Sequence, residues 1–246
     1  MTAFNEFTKR VNVFGSKIRS EIRTCDYLED AAQKFSELMY HEFSNSIVLT
    51  RVFVTIPFSK LPSDNQHFVI KIADSAGIGS QIRDNTLVLS LLGTQGQNED
   101  WNNRRNSKKH AGIPLISDDF IDSIPMMSRL LKELGIRLDW LTDYDAGIVK
   151  KKLGRLSGLF YVQDAANTTD DRGRKVISAQ DFVRTYNIKT VFGMGGGYSV
   201  RGIYSVMINF TKKNLPQRGA ERFMTFINFF NGETGSLVAD GKFFRS

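Results

Sequence analysis

IKTVFGMGGGYSVRGIYSVMINFTKKNLPQRGAERFMTFINFF, residues 188–230, decides how this chain folds. Two runs rich in β-branched and aromatic residues, Ile188–Met194 and Gly202–Thr211, predict adjacent strands. Between them Gly193-Met194-Gly195-Gly196-Gly197 reads as a hairpin turn or bulge that needs positive φ. It is not a phosphate loop, because no Gly-Lys-Ser/Thr follows and no helix opens behind it. Glycines at a pocket rim, Gly195 and Gly196 among them, would still let a ligand approach the backbone. Pro216 sits where a first helical turn belongs, and Phe223, Phe226, Ile227 and Phe230 then share one helical face.

Working outward, SIVLTRVFVTI (46–56) reads as a buried strand ended by Pro57, and NTLVLSLLGT (85–94) as another. Leu159–Val162 is a shorter one. Helices are predicted over 3–23, 26–43, 63–74, 145–153 and 178–186. Another starts at its cap Ser117, is kinked by Pro125 and stops at Gly135. Strands mixed with amphipathic helices predict an α/β (α+β) fold: a central antiparallel sheet of about five to six strands flanked by helices. Residues 1–44 form N-terminal helices, 45–231 the main domain, and 232–246 a weakly patterned tail. Phe4, Phe7, Val11, Phe14 and Ile18 make a stripe along the first helix. It serves either packing on its own domain or a homodimer seam.

Composition excludes several classes. With 246 residues and 41% hydrophobic content, the chain needs no disulfide staple, and its one cysteine, Cys25, can form none internally. This fits a cytoplasmic protein. The N-terminus lacks the apolar core of a secretory signal, and no run is long enough to span a membrane. The net charge of +7 invites nucleic acid, but the basic residues are scattered, which argues against it.

The long polar loop QGQNEDWNNRRNSKKHAG (95–112) is the best candidate site. Gly93 and Gly96 offer backbone N–H groups to an anion. Arg104 and Arg105 offer bidentate contacts to a carboxylate or phosphate. Trp101 gives a stacking surface; Asn102, Ser107 and His110 add polar contacts. The competing reading is a loop folded back on the domain, with Trp101 in the core and Arg104 holding a carboxylate such as Asp100 or Asp118.

Residues 188–230 resemble the final part of a GAF domain, in which a strand, a short turn and a second strand lead into a closing helix. Residues 93–115, with Gly-Thr-x-Gly, Trp101-Asn102, Arg104, Ser107, His110 and Ile113-Pro114-Leu115, resemble a motif of GAF-like input regions from bacterial sensor histidine kinases. Ile124-Pro125-Met126 and the VFGMGG of 191–196 match further elements of that group. The resemblance implies a sensor domain, either cut from a longer protein or standing alone. It names no ligand and no cofactor.

Catalysis and metal binding find little support. His41, His67 and His110 lack metal-ligand spacing with one another or with Cys25, and no nucleophile elbow is present. The carboxylate pairs Asp118-Asp119 and Asp170-Asp171 sit at a helix start and in a polar turn. The expectation is therefore a non-enzymatic sensor domain that binds a small molecule in bacterial signal transduction. The alternative is an interaction module whose basic loop docks an acidic signalling partner.

Overall fold

A computed structural model describes residues 3–107, 110–136, 157–198 and 203–245. Its centre is one six-stranded sheet. The strands are β1 (Ile47–Pro57), β2 (Leu87–Gly96), β3 (Gly112–Pro114), β4 (Ser157–Val162), β5 (Thr190–Gly197) and β6 (Tyr204–Thr211). Their order is β3-β2-β1-β6-β5-β4, and every ladder is antiparallel. The helices are α1 (Ala3–Ile22), α2 (Leu28–Phe43), α3 (Ser63–Ser75), α4 (Asp118–Asp122), α5 (Pro125–Glu133), α6 (Gln180–Thr185), α7 (Gln217–Glu221) and α8 (Met224–Ala239).

Alternation along each strand divides the core in two. Val52, Val54 and Ile56 of β1 join Val88, Phe192, Met194 and Met207 on a first face, beneath α1, α2, α3 and α8. Phe35 of α2 and Phe230 of α8 stack there with ring centroids 5.0 Å apart. Burying each such ring stabilises the fold by roughly 2–3 kcal/mol. Leu49 and Phe53 point the other way and join Leu89, Leu91, Val206, Ile208 and Phe210 on a second face, beneath α4, α5 and α6. Bulges let the strands keep this division: Leu92 has no partner across from β1, and Val48 none across from β6.

The predicted fold class is the one present. Phe14 and Ile18 of the stripe, and Ile22 beyond it, are buried within the chain's own core. Three expectations change. The helix kinked at Pro125 is two helices, with Pro125 in the first turn of α5, where a missing N–H breaks no bond. Ser117 caps α4 as expected, its Oγ accepting from the Phe120 N–H at 3.3 Å. The glycines 193–197 lie inside β5 rather than in a turn, and none of them has positive φ. The segment after Gly232 is no loose tail. α8 runs to Ala239 because Thr234, Leu237 and Val238 are buried. Lys242 and Phe243 then accept backbone bonds from Leu28 and Glu29 at 2.9 Å. The helix expected over 145–153 falls outside the described residues.

Candidate functional site

The polar loop straddles the edge of the sheet. Trp101 lies on the second face against Gly96, Phe182 and Tyr186, with ring centroids 5.5 and 4.7 Å from the last two. Arg104 ends on the first face, where it is 7% exposed. Its Nε donates to Glu29 Oε1 of α2 at 2.6 Å and its Nη1 to Asn65 Oδ1 of α3 at 3.1 Å. Arg104 thus holds a carboxylate, as the folded-back reading requires, but the carboxylate is Glu29 rather than Asp100 or Asp118. Asn102 Oδ1 accepts from the Gly96 N–H at 2.8 Å, so that N–H is not free for an anion. Gln33 of α2 clasps the same place. Its Oε1 accepts from the Thr94 N–H, and its Nε2 donates to the carbonyls of Thr94 and Asn102.

The remaining predicted site residues scatter. A Cβ on Gly93 would lie 2.1 Å from the Ala32 carbonyl oxygen, so this glycine lets α2 press on the sheet. Arg105 is exposed, its Nη2 3.8 Å from Glu29 Oε1. Ser107 gives its N–H to the Arg104 carbonyl at 3.1 Å, and His110 is exposed. Gly195 and Gly196, neighbours on β5, face opposite sides. The first is covered by the Tyr204 ring, and the second meets Asn231 of α8.

A different cluster emerges on the second face. Arg51 stands mid-strand on β1, flanked by Leu49 and Phe53 on that face. It is opposite Thr94 on one side and Ile208 on the other. Side chains directly opposite each other have Cβ atoms about 5 Å apart. Among the described residues, five buried side-chain polar atoms lack a hydrogen-bond partner, and three are Arg51 Nε, Thr94 Oγ1 and Tyr204 Oη. All three belong to residues whose strand register sets them on the second face. Leaving such atoms unmatched costs about 1–3 kcal/mol each. Burial pulls the Arg51 guanidinium down to about 10, so it remains a cation at neutral pH. Yet Arg51 keeps some accessible surface, whereas its neighbours Val48 to Ile56 on β1 are closed off. The guanidinium is thus largely desolvated without being sealed from the surface as its strand neighbours are. Tyr204, fully buried over Gly195, has its hydroxyl pushed well above the usual phenol range by desolvation. It is a proton-bearing phenol at neutral pH.

Loop composition does not point to Arg51, but the sequence carries a signal for it: Arg51 is the lone charge inside an apolar strand, SIVLTRVFVTI. An apolar cavity of about 400 Å³ lies on the first face, lined by Phe14, Phe43, Phe192, Phe223 and Phe226. Among the described residues no group of three or more His, Cys, Asp or Glu could hold a metal, and no helix is long and apolar enough to cross a membrane.

No family model matches the chain, and no curated protein matches it. Two solved structures are similar in outline. One is the GAF domain of a phosphoenolpyruvate-protein phosphotransferase from Acinetobacter, with TM-score 0.44, 10% identity and 97% of each chain covered. The other is the chromophore-binding domain of an unusual bacteriophytochrome from R. palustris, with TM-score 0.44 and 9% identity, covering 96% of this chain and 63% of that one. The chain's own strand order and its closing strand–strand–helix make an antiparallel six-stranded α+β architecture, the fold class the sequence predicts.

Proposed function

We propose that the chain is a cytoplasmic sensory domain of bacterial signal transduction that binds a small molecule against the second face of its sheet. It acts by binding rather than by catalysis. Arg51 anchors the ligand, Thr94 adds a hydroxyl beside it, and Trp101 forms a wall. The observation that carries this reading is Arg51 itself: a desolvated cation with an unmatched Nε on a central strand. A structural arginine is paired, as Arg104 is with Glu29. Binding would register at α2 through Thr94, whose backbone Gln33 clasps. Asn102, Arg104 and Arg105 then order the loop that carries Trp101.

Native mass spectrometry of the freshly purified chain, alongside a thermal-shift screen of small metabolites, tests the proposal. The expected result is a bound mass or a stabilising compound whose effect disappears in Arg51→Gln. Hits that bind Arg51→Gln as tightly as the unmodified protein would remove Arg51 from the site. The competing picture, an acidic protein docking on the loop, is supported less well because Arg104 is already committed to Glu29 and Asn65. Such docking would weaken steeply with salt, whereas a desolvated small-molecule site would not.

A further inference from the structure

The groups beside Arg51 limit what can bind there. The strand neighbours of Arg51 on the second face are apolar: Leu49 and Phe53 precede and follow it on β1, Ile208 stands opposite, and Leu91 and Phe210 lie in the adjoining pairs. Across the ladder, Thr94 presents a buried hydroxyl with no partner. Among the described strand residues facing this side, Arg51 is the sole cation, and none of them carries a carboxylate.

From this charge count we infer that the ligand is a small monoanion, a single carboxylate carried on an apolar or aromatic body, seated on Arg51 with Thr94 donating to the same group. This rests on the sensory reading above. A neutral ligand would leave the buried guanidinium uncompensated. A phosphate monoester, with close to two negative charges at neutral pH, would bring an uncompensated charge into the same desolvated place. A carboxylate balances the site one to one. Its two oxygens can accept from a guanidinium N–H and a threonine hydroxyl together. The apolar walls then cover a ring or branched chain, which a free inorganic anion lacks.

A matched series with one ring and varied head groups tests this: benzoate, phenylacetate, benzamide and phenyl phosphate, titrated calorimetrically into the full chain. Benzoate or phenylacetate should bind at least about tenfold more tightly than the amide and the phosphate. Arg51→Gln should weaken the carboxylate by about a hundredfold, the loss typical of removing one partner from a buried charge pair. Thr94→Val, nearly the same shape, should weaken it by about tenfold, and Thr94→Ser should retain most of the affinity. Thermal melts of each variant establish that it is folded. Stronger, Arg51-dependent binding of benzamide or phenyl phosphate would overturn the carboxylate assignment and leave the sensory reading standing. Carboxylate binding that ignores both Arg51→Gln and Thr94→Val would overturn the seat. If no member binds at about 10 mM, an affinity weaker than roughly 3 kcal/mol, the inference fails. The sensory reading is then judged separately, by whether native spectra carry a bound mass.

Discussion

Trp101 and Arg104 are three residues apart in sequence and end on opposite faces of the sheet. Trp101 packs toward Phe182 and Tyr186, while Arg104 binds Glu29 of α2 and Asn65 of α3. The loop is therefore a strap over the β2 edge, and Arg104 is its fastening on the helical side. Arg104→Ala would leave the Glu29 carboxylate, whose side chain is only 13% exposed, without its main cation. The expected loss is about 3–5 kcal/mol, the cost of breaking a buried pair by removing one partner. For a domain of this size that is a fall in Tm of roughly 10 °C or more. Arg104→Lys should recover little, because one ammonium cannot reproduce the two differently directed bonds. A melt unchanged within 2 °C or so in Arg104→Ala would mean the strap is fastened elsewhere.

Gly195 lets the Tyr204 ring lie flat on β5. A Cβ there would stand 2.2 Å from Tyr204 Cε1, so Gly195→Ala must push the ring out of a closed core. A loss of about 1–3 kcal/mol is expected for such overpacking. Removing the ring first should remove the conflict. In a double-mutant cycle with Tyr204→Val, Gly195→Ala should cost much less than it does alone, giving a coupling of at least about 1 kcal/mol. Additive losses in urea denaturation would mean the two positions do not share this contact.

Most of the sheet was legible because its strands are apolar runs bounded by breakers. Ile47–Pro57 stops at Pro57, and Leu87–Gly96 differs from the predicted 85–94 by two residues at each end. Period and breakers do not say which glycine turns and which one packs. Gly193 to Gly197 have turn composition, but their neighbours Tyr204, Phe160 and Asn231 arrive from distant sequence and occupy the missing Cβ positions. The same gap explains the site. The loop at 95–112 has the composition of a ligand loop, yet Glu29, Gln33 and Asn65 lie 39 to 75 residues upstream of the groups they bind and use those polar groups for order. Arg51 was readable as an oddity in its strand. That its Nε has no hydrogen-bond partner among the described residues is knowable only once all six strands are in place.

Acid stability should depend on Asp122. The Ser128 hydroxyl holds its carboxyl below the usual range, and Lys132 and Arg172 act in the same direction against desolvation. Asp164 is likewise depressed, first by the Asn167 side-chain amide and then by backbone N–H groups. A carboxylate whose pKa is lower folded than unfolded stabilises the fold above its unfolded value of about 4. That contribution is lost as pH falls through the depressed folded value. Ser128→Ala removes the largest cause at Asp122. Its deficit relative to the unmodified chain should be present at pH 6 and shrink toward pH 2. Guanidinium denaturation at both pH values checks this, and a deficit that stays constant would assign the effect to packing instead.

Arg51 gives the sharpest separation between a structural and a binding role. Were it structural, removing it would weaken the fold, as for Arg104. But its Nε is unmatched and its charge desolvated, so in the unliganded protein the residue is a cost. Replacing a buried, poorly compensated charge by an apolar side chain of similar length commonly stabilises, by about 1–4 kcal/mol. Arg51→Met should therefore raise Tm by a few degrees, about 2–10 °C for a domain of this size. Met suits the place because its flexible stem can follow the path of the arginine between Leu49 and Phe53. The same variant should fail to bind any carboxylate that the unmodified chain holds. Stability gained together with binding lost is the trade expected of a site residue. A lowered Tm in Arg51→Met would instead show that the guanidinium holds the sheet together, and the anchor would have to be sought elsewhere on the second face.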